Sequence, residues 1–287
     1  YKINNHIAIY GTYTYVDGVK YDDVKMVDVL EAITDIIDSK NMSIQKPVIG
    51  YEHKDASADK LTSDYIYPRL QEFIKENDIL IAETGIVPHG IVTMKMPNSV
   101  ELQTQTLWGS IGWATPATLG MCVAKPKSRV VTITGEGSHQ LTAMEIGNIL
   151  RQGLKPIIIV LNNNGYTIER VLSDSPDDKF NEIMQMNYSK FARVFDGDVW
   201  STKVTTAEDF DKALKVTQIM NKMCYIEICT DKMDMPKLTE ELAANLKAAK
   251  TSQEIKTDKK EELTEKKERS VITFETVVHK GIIEDEE

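Results

Sequence analysis

Four short runs constrain this chain more than any other feature: "DILIA" (78–82), "RVVTIT" (129–134), "PIIIVL" (156–161) and "CYIEIC" (224–229). Each is apolar almost throughout, and helical spacing or turn residues fill the intervals between them. A strand with one face in water alternates apolar and polar residues, whereas one without alternation is covered on both faces. Such strands, separated by helices, predict an α/β fold: a parallel sheet with helices on both faces. The 287 residues, 41% hydrophobic and 27% charged, can bury the core of one large domain or two ordinary ones.

The helical reading is specific. "DVKMVDVLEAITDIID" (23–38) places Val24, Val27, Leu30, Ile33 and Ile37 at three-to-four spacing. Helices are also predicted over "LTSDYIYPRLQEFIKEN" (61–77), where Pro68 kinks the helix or marks its first turn, and over "SIGWATPATLGMCVA" (110–124). Two more follow: "HQLTAMEIGNILRQ" (139–152), closed by Gly153, and "AEDFDKALKVTQIMN" (207–221). "HIAIYGTYTYVDGVKY" (6–21) reads as extended. Residues 41–60, polar and broken by Pro and Gly, read as a linker. "KLTEELAANLKAAK" (237–250) can form a helix. Residues 251–270 are charged and low in complexity, hence solvated, and "VITFETVV" (271–278) is an isolated strand candidate.

Composition removes several function classes. A net charge of −10 argues against a general nucleic-acid binder. No apolar run reaches the ~20 residues of a membrane span. The first residues carry no secretory pattern, and the missing initiator Met suits a fragment or a processed product. Cys122, Cys224 and Cys229 have neither zinc spacing nor an even-numbered framework, which fits a cytoplasmic protein.

Ligands of parallel α/β sheets bind beyond the carboxyl ends of the strands. Two odd sequences fall there. Gly135-Glu136-Gly137-Ser138 follows one strand, and Asn162-Asn163-Asn164-Gly165 follows the next. In the first, glycines let backbone N–H groups approach an anion such as phosphate, and Ser138 can cap the helix or donate to that anion. In the second, amide and backbone oxygens are ligands for a hard cation. A carboxylate from one turn and amide oxygens from the other would hold Mg²⁺ against a diphosphate. Either turn alone is ordinary; together, with 24 residues between Gly137 and Asn162, they are far more specific.

This pattern resembles the thiamine-diphosphate-binding motif. "NNNGYTIER" (162–170), "IAETG" (81–85), "LWGSIGWATPATLG" (107–120) and "GSHQLTAMEI" (137–146) together resemble the 2-oxo acid decarboxylases, in the same order, over roughly residues 1–240. The resemblance implies that residues 1–40 end the family's middle domain, 41–60 link, 61–250 form the thiamine-diphosphate-binding domain, and 251–287 are a charged tail. It implies thiamine diphosphate and Mg²⁺ as cofactors and a 2-oxo acid as substrate. Metal ligation falls on Glu136, the Asn163 side chain and the Gly165 carbonyl. Diphosphate and ring contacts fall on Thr84, Ser110, Gly137, Ser138, Tyr166, Thr167 and Ile168. The Gly109 carbonyl matches the acceptor for the aminopyrimidine amino group, and Ile111 the apolar wedge that bends the cofactor. Glu169 matches the catalytic carboxylate, which acts as a general acid.

Departures from the family pattern are equally specific. Glu136 stands where Asp is usual, Ile86 where a polar residue is usual, and Asn164 where Asp or Glu is common. His89 and His139 match no catalytic histidine and are read as surface or packing residues. The family's activating glutamate and paired histidines belong to an amino-terminal pyrimidine domain, and its sites lie between subunits. The resemblance therefore implies a homo-oligomer or a partner chain that supplies that domain, and no turnover by these residues alone. A non-catalytic binding or regulatory paralogue is the alternative. An acetolactate-synthase-like carboligase is disfavoured by "GYTIE" with its acid at 169.

Overall fold

The computed structural model describes residues 7–40 and 49–248. The chain divides into two compact units, Tyr1–Val48 and Ile49–Glu287. In the first, β1 (Ile7–Ile9), β2 (Thr14–Val16) and β3 (Val19–Tyr21) form an antiparallel meander, followed by α1 (Met26–Lys40). The two-residue turn Asp17-Gly18 joins β2 to β3, with Val16 opposite Val19. Thr14 donates its hydroxyl hydrogen to the Val24 carbonyl (3.0 Å), fastening the meander to the start of the helical segment.

The second unit alternates strand and helix. It contains α2 (Ser63–Phe73), β4 (Ile79–Ala82), α3 (Val87–Ile91), β5 (Glu101–Thr104) and α4 (Ala114–Ala124). Then come β6 (Val130–Gly135), α5 (Glu136–Gln140), α6 (Glu145–Arg151), β7 (Ile157–Asn162) and α7 (Thr167–Leu172). The last elements are α8 (Tyr188–Phe191), β8 (Val199–Val204), α9 (Ala207–Thr217) and β9 (Met223–Cys229). The six strands β4 to β9 form one parallel sheet in the order β5-β4-β6-β7-β9-β8.

The absence of alternation in the central strands has the predicted cause. Along β7, Ile157, Ile159 and Leu161 pack with α2, α3 and α9 residues, and Ile158 and Val160 pack with α6 and α8 residues on the other face. Along β4, Leu80 and Ala82 join the first face, and Ile79 and Ile81 join α4 on the second. Each such Ile or Leu, fully buried, contributes about 1.5–3 kcal/mol of transfer free energy. The four predicted strands are therefore all present, within one residue at each end.

Other features differ from the sequence reading. The edge strands β5 (ELQT) and β8 (VWSTKV) were not foreseen; each is half covered, with β5 alternating along its length, and polar enough to read as loop. The helix expected over 139–152 is two, α5 and α6. Between them the backbone tightens to three-residue hydrogen bonds, with the Leu141 N–H on the Ser138 carbonyl and the Thr142 N–H on the His139 carbonyl. Thr142 also donates to the Gly112 carbonyl (2.8 Å), which pins the break. The helix expected over 110–124 begins only at Ala114, because Gly109 and Gly112 hold φ of 62° and 84°, outside the helical region. Pro68 lies inside α2, and residues 237–248 are helical. The expected linker lies outside the described residues over 41–48, and the expected tail and strand of 251–287 lie outside them entirely. Among the described residues no helix is long and apolar enough to cross a membrane.

Candidate functional site

Beyond the carboxyl ends of β4, β6 and β7 lies a cavity of about 570 Å³. Its walls include Thr84 after β4, Gly109 and Ile111 before α4, Glu136, Gly137 and Ser138 after β6, and Asn163, Gly165, Tyr166, Thr167, Ile168 and Glu169 after β7. These are the residues singled out in the sequence, except Ser110. The Ser110 N–H instead donates to the Gln105 side chain (2.6 Å), and its side chain is exposed.

Glu136 is 1% exposed. Its Oε1 accepts the Gly165 N–H (2.5 Å) and its Oε2 the Asn163 N–H (3.4 Å), so one carboxylate joins the β6 turn to the β7 turn. Burial pushes its pKa up, and these amide hydrogens pull against that shift. One terminal atom of the Asn163 amide lies 3.0 Å from the Gly165 carbonyl oxygen and 3.2 Å from Glu136 Oε2. As nitrogen, that atom donates to both. In that orientation the amide oxygen also accepts from the Thr167 hydroxyl (2.8 Å); turned over, it would complete a set of three oxygens open to a cation. Cis ligands of an octahedral ion bound at about 2.1 Å stand about 3.0 Å apart, much the same length as an N–H···O bond, so these two separations suit either arrangement. Among the described residues no group of three or more His, Cys, Asp or Glu side chains could hold a metal. This donor set, with one carboxylate, one amide and one carbonyl, is of the kind Mg²⁺ takes together with phosphate oxygens.

Local structure explains why the β7 turn has this sequence. Asn164 sits at φ 62°, a left-handed conformation Asn tolerates better than most residues. Gly165 sits at φ 123°, and a Cβ there would lie 2.3 Å from the Asn181 carbonyl oxygen and 2.5 Å from Arg170 Nη2. Arg170, 3% exposed, donates to the Asn164 carbonyl (2.7 Å) from behind the turn. Thr167 donates to the Lys232 carbonyl (2.8 Å). Glu169, on the first turn of α7, is exposed toward the cavity.

Three further sets of residues stand at the site. His89, expected as a surface or packing residue, lines the cavity and meets Thr239 (2.9 Å); burial lowers its pKa. Thr239, Leu242, Ala243 and Leu246 of the helical segment 237–248 form another wall. Their three-to-four spacing was the available signal. Glu83, within "IAETG" at the end of β4, is a buried acid, 0% exposed. His139 faces away from the cavity as a buried packing residue, with Nδ1 2.9 Å from Thr115 Oγ1 and Nε2 2.8 Å from the Tyr225 hydroxyl. Burial lowers its pKa to about 4.

Residues 86–228 match the thiamine pyrophosphate enzyme C-terminal TPP binding domain. The chain is 33% identical over 247 residues to a pyruvate decarboxylase of Kluyveromyces lactis, covering 82% of this chain and 44% of that one. It belongs to the thiamine-diphosphate-dependent 2-oxo acid decarboxylase family. Pyruvate decarboxylase 2 of Pisum sativum is 31% identical, over 81% of this chain and 59% of that protein, so the chain spans about half the length of these family members. A solved thiamine diphosphate-dependent 4-hydroxybenzoylformate decarboxylase from Rhodococcus jostii RHA1 has the same fold, with a TM-score of 0.60. That likeness covers 70% of this chain and 38% of that one, at 20% identity. The matched domain of the family runs from the β4–α3 connection into β9, and so takes in the walls of the cavity except Thr84, Gly85 and the helical segment 237–248.

Proposed function

We propose that the chain is the Mg²⁺- and thiamine-diphosphate-binding portion of a non-oxidative, pyruvate decarboxylase-like enzyme that converts a 2-oxo acid to an aldehyde and CO₂ in the cytoplasm. The observation that carries this reading is the convergence of the Glu136 carboxylate, the Asn163 amide and the Gly165 carbonyl inside a cavity walled by the family's cofactor-binding turns. In this reading residues 61–250 are the cofactor domain, 1–40 the end of a middle domain, 41–60 a linker and 251–287 a tail.

Glu136, Asn163 and Gly165 would hold the metal, and the Ser138 hydroxyl and Gly137 would meet the diphosphate. Thr84, Ser110, Tyr166, Thr167 and Ile168 would complete the contacts. The Gly109 carbonyl would accept a hydrogen from the aminopyrimidine, and Ile111, 38% exposed at the cavity edge, would press the two rings together. Thiamine diphosphate, when bound, supplies a nucleophilic carbon and an electron sink for loss of CO₂. Glu169 would hold and return a proton beside the reacting carbon.

A homo-oligomer or a partner chain would supply the pyrimidine domain. Leu107 and Trp108, 83% and 82% exposed immediately before Gly109, support a covered surface at this edge of the cavity. A second reading, a non-catalytic paralogue, is favoured by Ile86, an apolar wall residue where the family uses a polar one, and by the loop amides that occupy the Glu136 carboxylate.

Titration calorimetry of thiamine diphosphate with and without Mg²⁺ tests the proposal. Binding that requires the divalent ion is expected. Absence of binding under both conditions would remove it, and metal-independent binding would remove the metal assignment.

A further inference from the structure

We propose that Glu83 is a positioning residue of the cofactor site, tethering segment 109–113, which carries Gly109 and Ile111, to the end of the sheet. The inference rests on the cofactor reading above. Glu83 does not line the cavity, and none of the roles assigned so far uses it. Its carboxylate nevertheless collects hydrogens from all three segments that wall the near side. Oε1 accepts the N–H of Thr84 (3.0 Å), the first wall residue after β4. Oε2 accepts the N–H of Ala114 (3.1 Å), where segment 109–113 enters α4. Oε2 also faces the hydroxyl of Thr134 (3.4 Å), two residues before Glu136.

A carboxylate this deeply buried is costly unless such donors surround it. Burial pushes its pKa up, and the amides of Ala114, Thr84 and Gly112 and the Thr134 hydroxyl counter the shift. β4 and β6 are already held together by their own ladder, in which Ala82 pairs with Ile133. The tether therefore matters most for segment 109–113, which belongs to no strand. That segment bears the Gly109 and Ile111 ring contacts, whereas the metal ligands and the Gly137 and Ser138 diphosphate contacts lie on the turns after β6 and β7. Glu83→Gln keeps the volume but places an NH₂ where one of two backbone N–H groups now donates. That repulsion falls on the Ala114 or the Thr84 N–H and shifts segment 109–113 or Thr84, not the turns after β6 and β7.

The test compares two ligands, thiamine diphosphate and inorganic pyrophosphate, each with Mg²⁺, on the parent chain and Glu83→Gln. The parent is expected to prefer thiamine diphosphate. In the variant its affinity should fall about tenfold or more, the worth of a lost hydrogen bond to a charged group, while pyrophosphate stays within about twofold. Partial unfolding lowers both apparent affinities by the same factor and leaves their ratio unchanged, so a selective loss reports position and not stability. If Glu83→Gln does not fold, Glu83→Asp, whose carboxylate is drawn back by about 1.5 Å from Ala114, is measured the same way. An unchanged ratio overturns the inference while the cofactor reading stands. A parent with no preference for thiamine diphosphate also overturns it. A parent that binds neither ligand removes the cofactor reading and the inference together.

Discussion

Glu136→Ala separates the two tasks of one carboxylate. Without ligand, Glu136 accepts the Gly165 and Asn163 N–H groups in a buried turn. Alanine strands both, at a cost of about 1–3 kcal/mol for a buried group left unsatisfied. With ligand, the same substitution removes the only charged protein oxygen of the proposed metal site. A contact of this kind contributes about 1.5–3 kcal/mol, so affinity should fall about 10- to 150-fold. Thermal unfolding with thiamine diphosphate and Mg²⁺ at 100 times the parent's Kd reads both effects. The parent should gain about 2.7 kcal/mol, which at 2–4 °C per kcal/mol is roughly 5–11 °C in Tm. A tenfold loss leaves about 1.4 kcal/mol and a hundredfold loss about 0.4 kcal/mol, or roughly 1–2 °C. The drop in Tm without ligand and the lost increment with ligand are independent readouts. A variant whose ligand-induced shift equals the parent's would refute the assignment of Glu136 to the metal, whatever its stability alone. Glu136→Asp, which keeps the charge, should recover most of the shift.

Further outcomes follow from other groups. His139, neutral and buried with a pKa of about 4 against an ordinary 6.5, binds fewer protons folded than unfolded. Stability from this group is therefore complete above pH 6.5 and is lost as pH falls toward 4, by about 2 kcal/mol at pH 5. The buried carboxyls Glu83 and Glu136 have raised pKa values and act in the opposite direction, so the difference in urea stability between parent and His139→Leu, at pH 7 and pH 5, isolates the histidine. No change in that difference would contradict the buried neutral state. Gly165→Ala, forced to φ 123° against the Asn181 carbonyl, should lose at least about 1–3 kcal/mol in urea unfolding and most of its thiamine diphosphate affinity. Glu169→Gln, at an exposed position of the cavity wall that is not among the proposed metal or diphosphate contacts, should keep thiamine diphosphate affinity within about twofold by calorimetry. A larger loss would move Glu169 into the binding contacts.

The central sheet was legible because its signal is redundant. Both faces of β4, β6, β7 and β9 are buried, so every position of each run is under the same constraint. The edge strands β5 and β8 carry half that constraint, and their polar positions erase the pattern. The division of α5 from α6 was not legible, because it depends on a tertiary bond from Thr142 to Gly112, 30 residues away in the chain. The turns of the site were legible for the opposite reason to the strands. Glu136 and the three asparagines are poor core residues placed at strand ends, and local packing alone does not account for them.

Glu83 marks where that logic stops. It too is an acid at a strand end, one position beyond an apolar run, the same local setting as Glu136. What separated the two in the sequence was glycine on both sides of Glu136, which signals a ligand's approach to the backbone. Glu83 is flanked by Ala82 and Thr84, and its partners are N–H groups 1 and 31 residues away and a hydroxyl 51 residues away. A carboxylate that binds a ligand and one that holds the binding loops meet the same physical requirement, donors enough to offset burial. In Glu136 the backbone donors of the facing turn hold a carboxylate that lines the cavity. In Glu83 the donors come from three segments at once and hold a carboxylate that does not line it. The difference between contact and support therefore lies in where the donors originate, which only the fold determines.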